Sequence, residues 1–178
     1  PRFGEFVDRN ADGVIDYKDR YFYKKSDPDV TMGLSTKLTY KNWDLGLGFR
    51  ASLNNYAYNG VEAGDNMNTG MSRLYSGNTW HNTFKNELAK DWTSSSANAS
   101  CSDYFIQNAS FLKLDNITLG YSFNHIGKSK INGRVYATAQ NVFTITKYKG
   151  LDPEIDGGYD NNVYPRPFTG ILGVSLNF

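Results

Sequence analysis

The stretch Trp43-Asp44-Leu45-Gly46-Leu47-Gly48-Phe49-Arg50-Ala51-Ser52-Leu53 decides the fold. Its odd positions carry Trp43, Leu45, Leu47, Phe49, Ala51 and Leu53, and its even positions Asp44, Gly46, Gly48, Arg50 and Ser52. A period of two places all the apolar side chains on one face of a β-strand and the small or charged ones on the other. Upstream, Met32, Leu34, Leu38 and Tyr40 alternate with Gly33, Ser35, Lys37, Thr39 and Lys41, and Asn42 separates the two runs. The pair reads as a hairpin closed by a tight turn.

Further runs repeat the pattern. Ile117, Leu119, Tyr121 and Phe123 share one face, as do Val135, Ala137, Ala139, Phe143 and Ile145, and Asn132-Gly133 between them predicts a two-residue turn. Leu112 and Leu114 have the opposite parity, which predicts a bulge near Asp115-Asn116. The last run, 168–178, puts Phe168, Leu172, Val174, Leu176 and Phe178 on one face, with Ile171 as the exception. The fold class is therefore all-β, built from antiparallel strands. Segments 1–29, 54–110 and 147–167 are long and polar, and short turns alternate with them. Connections of that length are uncommon in compact soluble domains. Short turns alternating with long loops are the habit of outer-membrane barrels.

Composition narrows the function classes. The chain has 178 residues with 39% hydrophobic and 21% charged, a globular composition, and a net charge of +1 offers no basic surface for nucleic acid. Thirteen Tyr, 11 Phe, 3 Trp and 17 Gly accompany a mean hydropathy of −0.56, a mixture favouring strands joined by polar loops. No stretch approaches the ~20 apolar residues of a membrane helix. Cys101 stands alone and the only histidines are His81 and His125, so the sequence holds no disulfide framework and no Cys-based or His-rich metal motif. Nucleophile elbows and phosphate-binding glycine loops are absent as well, and no enzymatic activity is expected.

One metal motif stands out. Asp8-Arg9-Asn10-Ala11-Asp12-Gly13-Val14-Ile15-Asp16-Tyr17-Lys18-Asp19 follows the D-x-[DN]-x-[DN]-G calcium loop. Asp8, Asn10, Asp12, the carbonyl of Val14, Asp16 and Asp19 are the predicted ligands of a structural Ca2+, with Gly13 making the sharp turn. Position 12 is Asp19 in place of Glu, so bidentate coordination is less complete and binding weaker than in a sensor.

Alternation alone admits two architectures. In a soluble β-sandwich, the alternative reading, the apolar face points inward, and the chain would be a secreted or surface domain binding glycan with calcium. In a barrel the apolar face meets lipid, and aromatics gather at the interfaces. Tyr40, Trp43 and Phe123 lie beside the short turns, where a girdle belongs. Phe178 with Leu176 and Val174 at alternate positions before it is similar to the C-terminal assembly signal of bacterial outer-membrane barrels. That reading makes the C-terminus and short turns periplasmic and the three long segments extracellular.

The acidic loop 8–19, the run Tyr40-Lys41-Asn42-Trp43-Asp44-Leu45, the segment 109–121 (Ala-Ser-Phe-Leu-Lys-Leu-Asp-Asn-Ile-Thr-Leu-Gly-Tyr), Arg134-Val135-Tyr136, the segment 141–154 (Asn-Val-Phe-Thr-Ile-Thr-Lys-Tyr-Lys-Gly-Leu-Asp-Pro-Glu) and Tyr164-Pro165 occur in an informative order. Together they resemble the C-terminal part of SusC/RagA-type TonB-linked outer-membrane proteins of Bacteroidetes, over nearly the whole chain. The resemblance implies an importer whose barrel of about 22 strands holds an N-terminal plug and works with a SusD-like surface lipoprotein as its lid. It further implies coupling to TonB through the plug end, outer-membrane lipid around the wall, and an oligosaccharide or peptide as cargo. On this reading 1–29 is an extracellular loop with the calcium-type motif, and 30–178 holds roughly five wall strands with extracellular loops 54–110 and 147–167. Tyr75, Trp80, Trp92 and Tyr159 are candidate platforms for the cargo.

Overall fold

The computed structural model describes residues 6–67, 75–76, 79–80, 102–124 and 131–177; for 64–67 and the strands at 75–76 and 79–80 only the backbone is described. The chain divides into two compact units. One comprises 28–54, 109–147 and 164–178, the other 1–27, 55–108 and 148–163.

The first unit is one antiparallel sheet of five strands: β1 (Val30–Tyr40), β2 (Trp43–Leu53), β7 (Phe111–Phe123), β8 (Asn132–Thr146) and β10 (Thr169–Asn177), in that spatial order. Strands of 9 to 15 residues match or exceed the 9 to 11 that cross a bilayer when tilted. The predicted parity persists across the whole sheet. Leu38 pairs with Leu45, Leu45 with Leu119, Leu119 with Ala137 and Ala137 with Leu172, so one apolar row crosses all five strands. Met32, Leu34, Val174 and Leu172 on this face are exposed, Leu172 to 86%. An exposed apolar face of this extent marks an interaction surface, for lipid or for protein. Among the described residues this unit contains no second sheet, so the inward-facing apolar layer of a sandwich is not formed within it.

On the opposite face, polar side chains tie strands together. Arg134 of β8 reaches across β7 to Asp44 of β2, donating from Nη2 at 2.6 Å and Nε at 2.9 Å. The residue it crosses is Gly120, which sits between Asp44 and Tyr136 in register and leaves the space the guanidinium fills. Arg50 makes a similar two-pronged contact with Asp115, Nη2 to Oδ1 at 2.9 Å. Asp115 is the extra residue of the predicted bulge: the register of β7 shifts between Leu114 and Asn116, and the parity of Leu112 and Leu114 thereby joins the apolar face.

Both hairpin connections are informative. Lys41-Asn42 forms the expected turn between β1 and β2, with Lys41 at φ 54°, and the Asn42 carbonyl accepts from Ser122 N at 2.8 Å. Trp43 and Tyr121 meet beside it with ring centroids 4.8 Å apart. Asn132-Gly133, by contrast, is not a turn. Both residues belong to β8, Gly133 pairing with Phe123 on one side and Leu176 on the other. A Cβ at Gly133 would lie 2.6 Å from Phe123 Cζ and 2.8 Å from Leu176 Cδ2. The glycine is there to let two neighbouring side chains close over the strand.

The second unit gathers residues from all three long segments. A small sheet takes β3 (Tyr56–Asn59) at its centre, antiparallel to β6 (Ile106–Asn108) and parallel to β9 (Tyr159–Asp160). Helix α1 (Gly60–Met67) follows β3 directly, and β4 (Tyr75–Ser76) pairs with β5 (Thr79–Trp80) in a separate ribbon. Phe105, Ala57, Ala63 and Tyr148 are its buried apolar residues. The helix inside 54–110 leaves no mark on the sequence, because Gly60–Met67 is too short and too polar for a helical period to show.

Candidate functional site

The long-segment unit contains a network of buried polar groups. Asn59, at the end of β3, accepts from Glu62 N with its Oδ1 at 2.9 Å and so caps α1. Glu62 in turn accepts from Gln107 Nε2 of β6 at 2.6 Å. Asp160 of β9 accepts from the Tyr148 hydroxyl at 2.6 Å and from Val163 N at 3.3 Å. Asn59, Glu62, Tyr148 and Asp160 are all less than a tenth exposed. Burial first, and the Asp160 carboxylate second, push the Tyr148 phenol well above its ordinary value. The phenol thus stays protonated and donates to the carboxylate.

Asn59, Glu62 and Asp160, together with Lys149, Leu151 and Asn162, line an open cavity of about 210 Å³. Its lining residues carry carboxylates, amides and an ammonium, beside the two aliphatic side chains of Val61 and Leu151. Such a lining can hydrogen-bond a small polar group, and its carboxylates are already held in place by fixed donors. These residues gave little signal in the sequence: each is a common polar loop residue, and only the run 141–154 carried Tyr148 and Lys149 as part of a family phrase.

The predicted platforms are placed as follows. Tyr159 stacks on Tyr58 with centroids 5.3 Å apart and an interplanar angle of 8°, and remains 58% exposed. Tyr75 and Trp80 pair across the β4–β5 ribbon. Trp92 lies outside the described residues, as do Cys101, His81 and His125. Of the assembly-signal residues, Leu176 and Val174 sit on the apolar face of β10, and Phe178 is outside the described residues.

The acidic loop has the expected turn, with Gly13 at φ 83°. Its side chains, however, are engaged with the loop's own backbone. Asp8 accepts from Ala11 N and Gly13 N, both at 2.7 Å. Asn10 Oδ1 accepts from Asp12 N at 3.0 Å, and Asp12 Oδ1 from Val14 N at 2.9 Å. Asp16 accepts from Lys18 N at 2.8 Å and caps the turn Tyr17–Asp19. Asp19, at ligand position 12, takes Arg9 N and Asp16 N at 2.8 Å each and Asn10 N at 3.4 Å. These amides, Asp16 foremost, hold its carboxyl below the usual carboxylate range. Among the described residues no three Asp, Glu, His or Cys side chains form a metal-holding group. The donors are of calcium type, and as placed here the carboxylate at the twelfth position is turned to three amides of the loop.

Comparison with known proteins completes the picture. No protein-family model matches the chain. It is 51% identical over 177 residues, 97% of its length, to the TonB-dependent receptor SusC of Bacteroides thetaiotaomicron. It is 27% identical to the TonB-dependent receptor P3 of Formosa agariphila, again over 97% of its length. Among solved structures, the RagAB peptide transporter matches 93% of the chain with a TM-score of 0.69 and 26% identity. The chain spans 17% and 19% of the lengths of these two curated relatives and 19% of the matched RagAB chain. These relatives are receptors and a transporter, not enzymes, in line with the absence of catalytic motifs. An open five-stranded sheet is what a portion of such a barrel looks like, and the chain belongs, as a segment, to the SusC/RagA-type TonB-linked outer-membrane proteins.

Proposed function

We infer that this segment forms part of the wall and outer mouth of a TonB-dependent nutrient importer. The observation that carries the reading is the apolar row running unbroken across five strands, exposed on its outer side and backed by polar, ion-paired residues. Lipid would cover the first face, and the plug and aqueous lumen the second. The outer edges of β1 and β10 have no neighbour within the described residues and would pair with the rest of the barrel, because an open edge is not tolerated in hydrocarbon.

In this reading the Lys41-Asn42 end and the C-terminus are periplasmic, and the unit built from the three long segments is extracellular. That unit would meet a SusD-like lipoprotein lid and the cargo, an oligosaccharide or a peptide; energy would come from TonB through the plug. The solved relative is named a peptide transporter, while the 51% identical relative is the receptor SusC, so likeness alone does not choose the cargo. No observation favours the secreted sandwich.

Two measurements on the full-length protein test this. Cysteines introduced singly at Asn42 and Leu151 in a Cys101→Ser background are labelled on intact cells with a membrane-impermeant maleimide; Leu151 should react and Asn42 only after permeabilisation. Deleting the gene should abolish growth on one polymeric nutrient and leave growth on its monomer intact. Labelling at Asn42 in intact cells, or unimpaired growth on every polymer, would refute the assignment.

A further inference from the structure

The geometry points to a role for the acidic loop that needs no ion: Asp19 closes the loop upon backbone amides, and the closed loop clasps the segment 6–27 to Tyr56 and Asp103 of its own unit. Asp19 is only 8% exposed, and three amides ten, nine and three residues away in sequence converge on it. It therefore supplies what an ion supplies in a calcium loop, a negative-to-positive closure between the two ends, by joining Arg9 and Asn10 to Asp16. Asp8, Asn10 and Asp12 complete the interior by satisfying the amides of Ala11, Gly13, Asp12 and Val14. Buried or turn-forming amides left without acceptors are costly, so each contact keeps the loop shut.

Closure has a consequence beyond the loop. Fixing the Arg9 backbone places its guanidinium over the Tyr21 ring, 3.9 Å from the centroid. Tyr21 donates its hydroxyl to Asp103 at 2.5 Å and meets Tyr23 edge-on. Two residues beyond Asp103, Phe105 is fully buried in the unit. Further along, Tyr56 N donates to the Lys25 carbonyl at 3.1 Å, and Lys24 lies over the Tyr56 ring. Asp19, Arg9, Tyr21 and Asp103 thus form a continuous series of contacts across more than 80 residues of sequence, with Asp19 as the positioning residue at its start.

Amide hydrogen exchange on the intact receptor in detergent tests this, with three arms. The wild type is compared in excess EDTA and in millimolar Ca2+; exchange at Arg9, Asn10 and Asp16 should be the same in both. Asp19→Ala should speed exchange at those three amides by about tenfold or more. Arg9→Met should speed exchange at Tyr21 to Tyr23 while leaving the Gly13 and Val14 amides protected. Faster exchange in EDTA that Ca2+ reverses would overturn the proposal and restore the calcium reading. So would an Asp19→Ala variant with unaltered exchange, and an Arg9→Met variant unaltered at Tyr21 would overturn the clasp. Should Asp19→Ala fail to fold, the wild-type comparison decides on its own.

Discussion

Gly133→Ala asks whether Asn132-Gly133 is a strand or a turn. The new methyl would lie 2.6 Å from Phe123 Cζ, 2.8 Å from Phe123 Cε2 and 2.8 Å from Leu176 Cδ2, all well inside van der Waals contact. Overfilling a packed site costs typically ~1–3 kcal/mol. Both neighbours are side-chain tips that can swing away, which places this site at the lower end, about 1 kcal/mol, or roughly a fivefold shift in the folding equilibrium. The informative experiment is a double-mutant cycle with Phe123→Ala, read as the unfolding midpoint of the intact barrel by heat-modified gel mobility. Removing the ring clears the space, so the strand arrangement predicts that most of the Gly133→Ala penalty vanishes in the Phe123→Ala background, a coupling of about 1 kcal/mol. A turn glycine would lose the same stability in either background, because its penalty would arise from its own backbone. Strict additivity, or a neutral Gly133→Ala, refutes the cross-strand reasoning.

Two further outcomes follow from the contacts. Arg134→Met leaves the Asp44 carboxylate without the two donors that reach it across β7, and the unfolding midpoint of the intact barrel should fall. Adding Asp44→Asn should recover a good part of the loss, and a double variant no more stable than the single one would show that the unpaired carboxylate is not its source. Tyr148 has its folded pKa raised by burial and by Asp160, so the unfolded phenol ionises first as pH rises. Its stabilising contribution is complete below the ordinary tyrosine value of about 10 and is lost above it. Hydrogen exchange in β3 and β9 should therefore accelerate between pH ~10 and 11 beyond its intrinsic base catalysis, and Tyr148→Phe should remove that excess. An excess that persists in Tyr148→Phe would assign it to another group.

The parity of five strands, the bulge at Asp115 and the turn at Lys41-Asn42 were all legible in the amino-acid order. Each is local: side chains alternate because the strand repeats every two residues, and a parity break must be absorbed by one extra residue. The family phrases added the barrel to which these strands belong. What the order of residues left open concerns partners distant in sequence. Gly133 reads as a turn glycine until Phe123 and Leu176 are seen to close over it. The bond from Tyr148 to Asp160, and that from Gln107 to Glu62, join residues 12 and 45 positions apart that no period relates. Asp19 shows the division most plainly. Its spacing from Asp8 marks it as a ligand, yet carboxylates accept equally from an ion or from amides. Only the folded backbone, by bringing Arg9, Asn10 and Asp16 to its oxygens, decided which donors it meets.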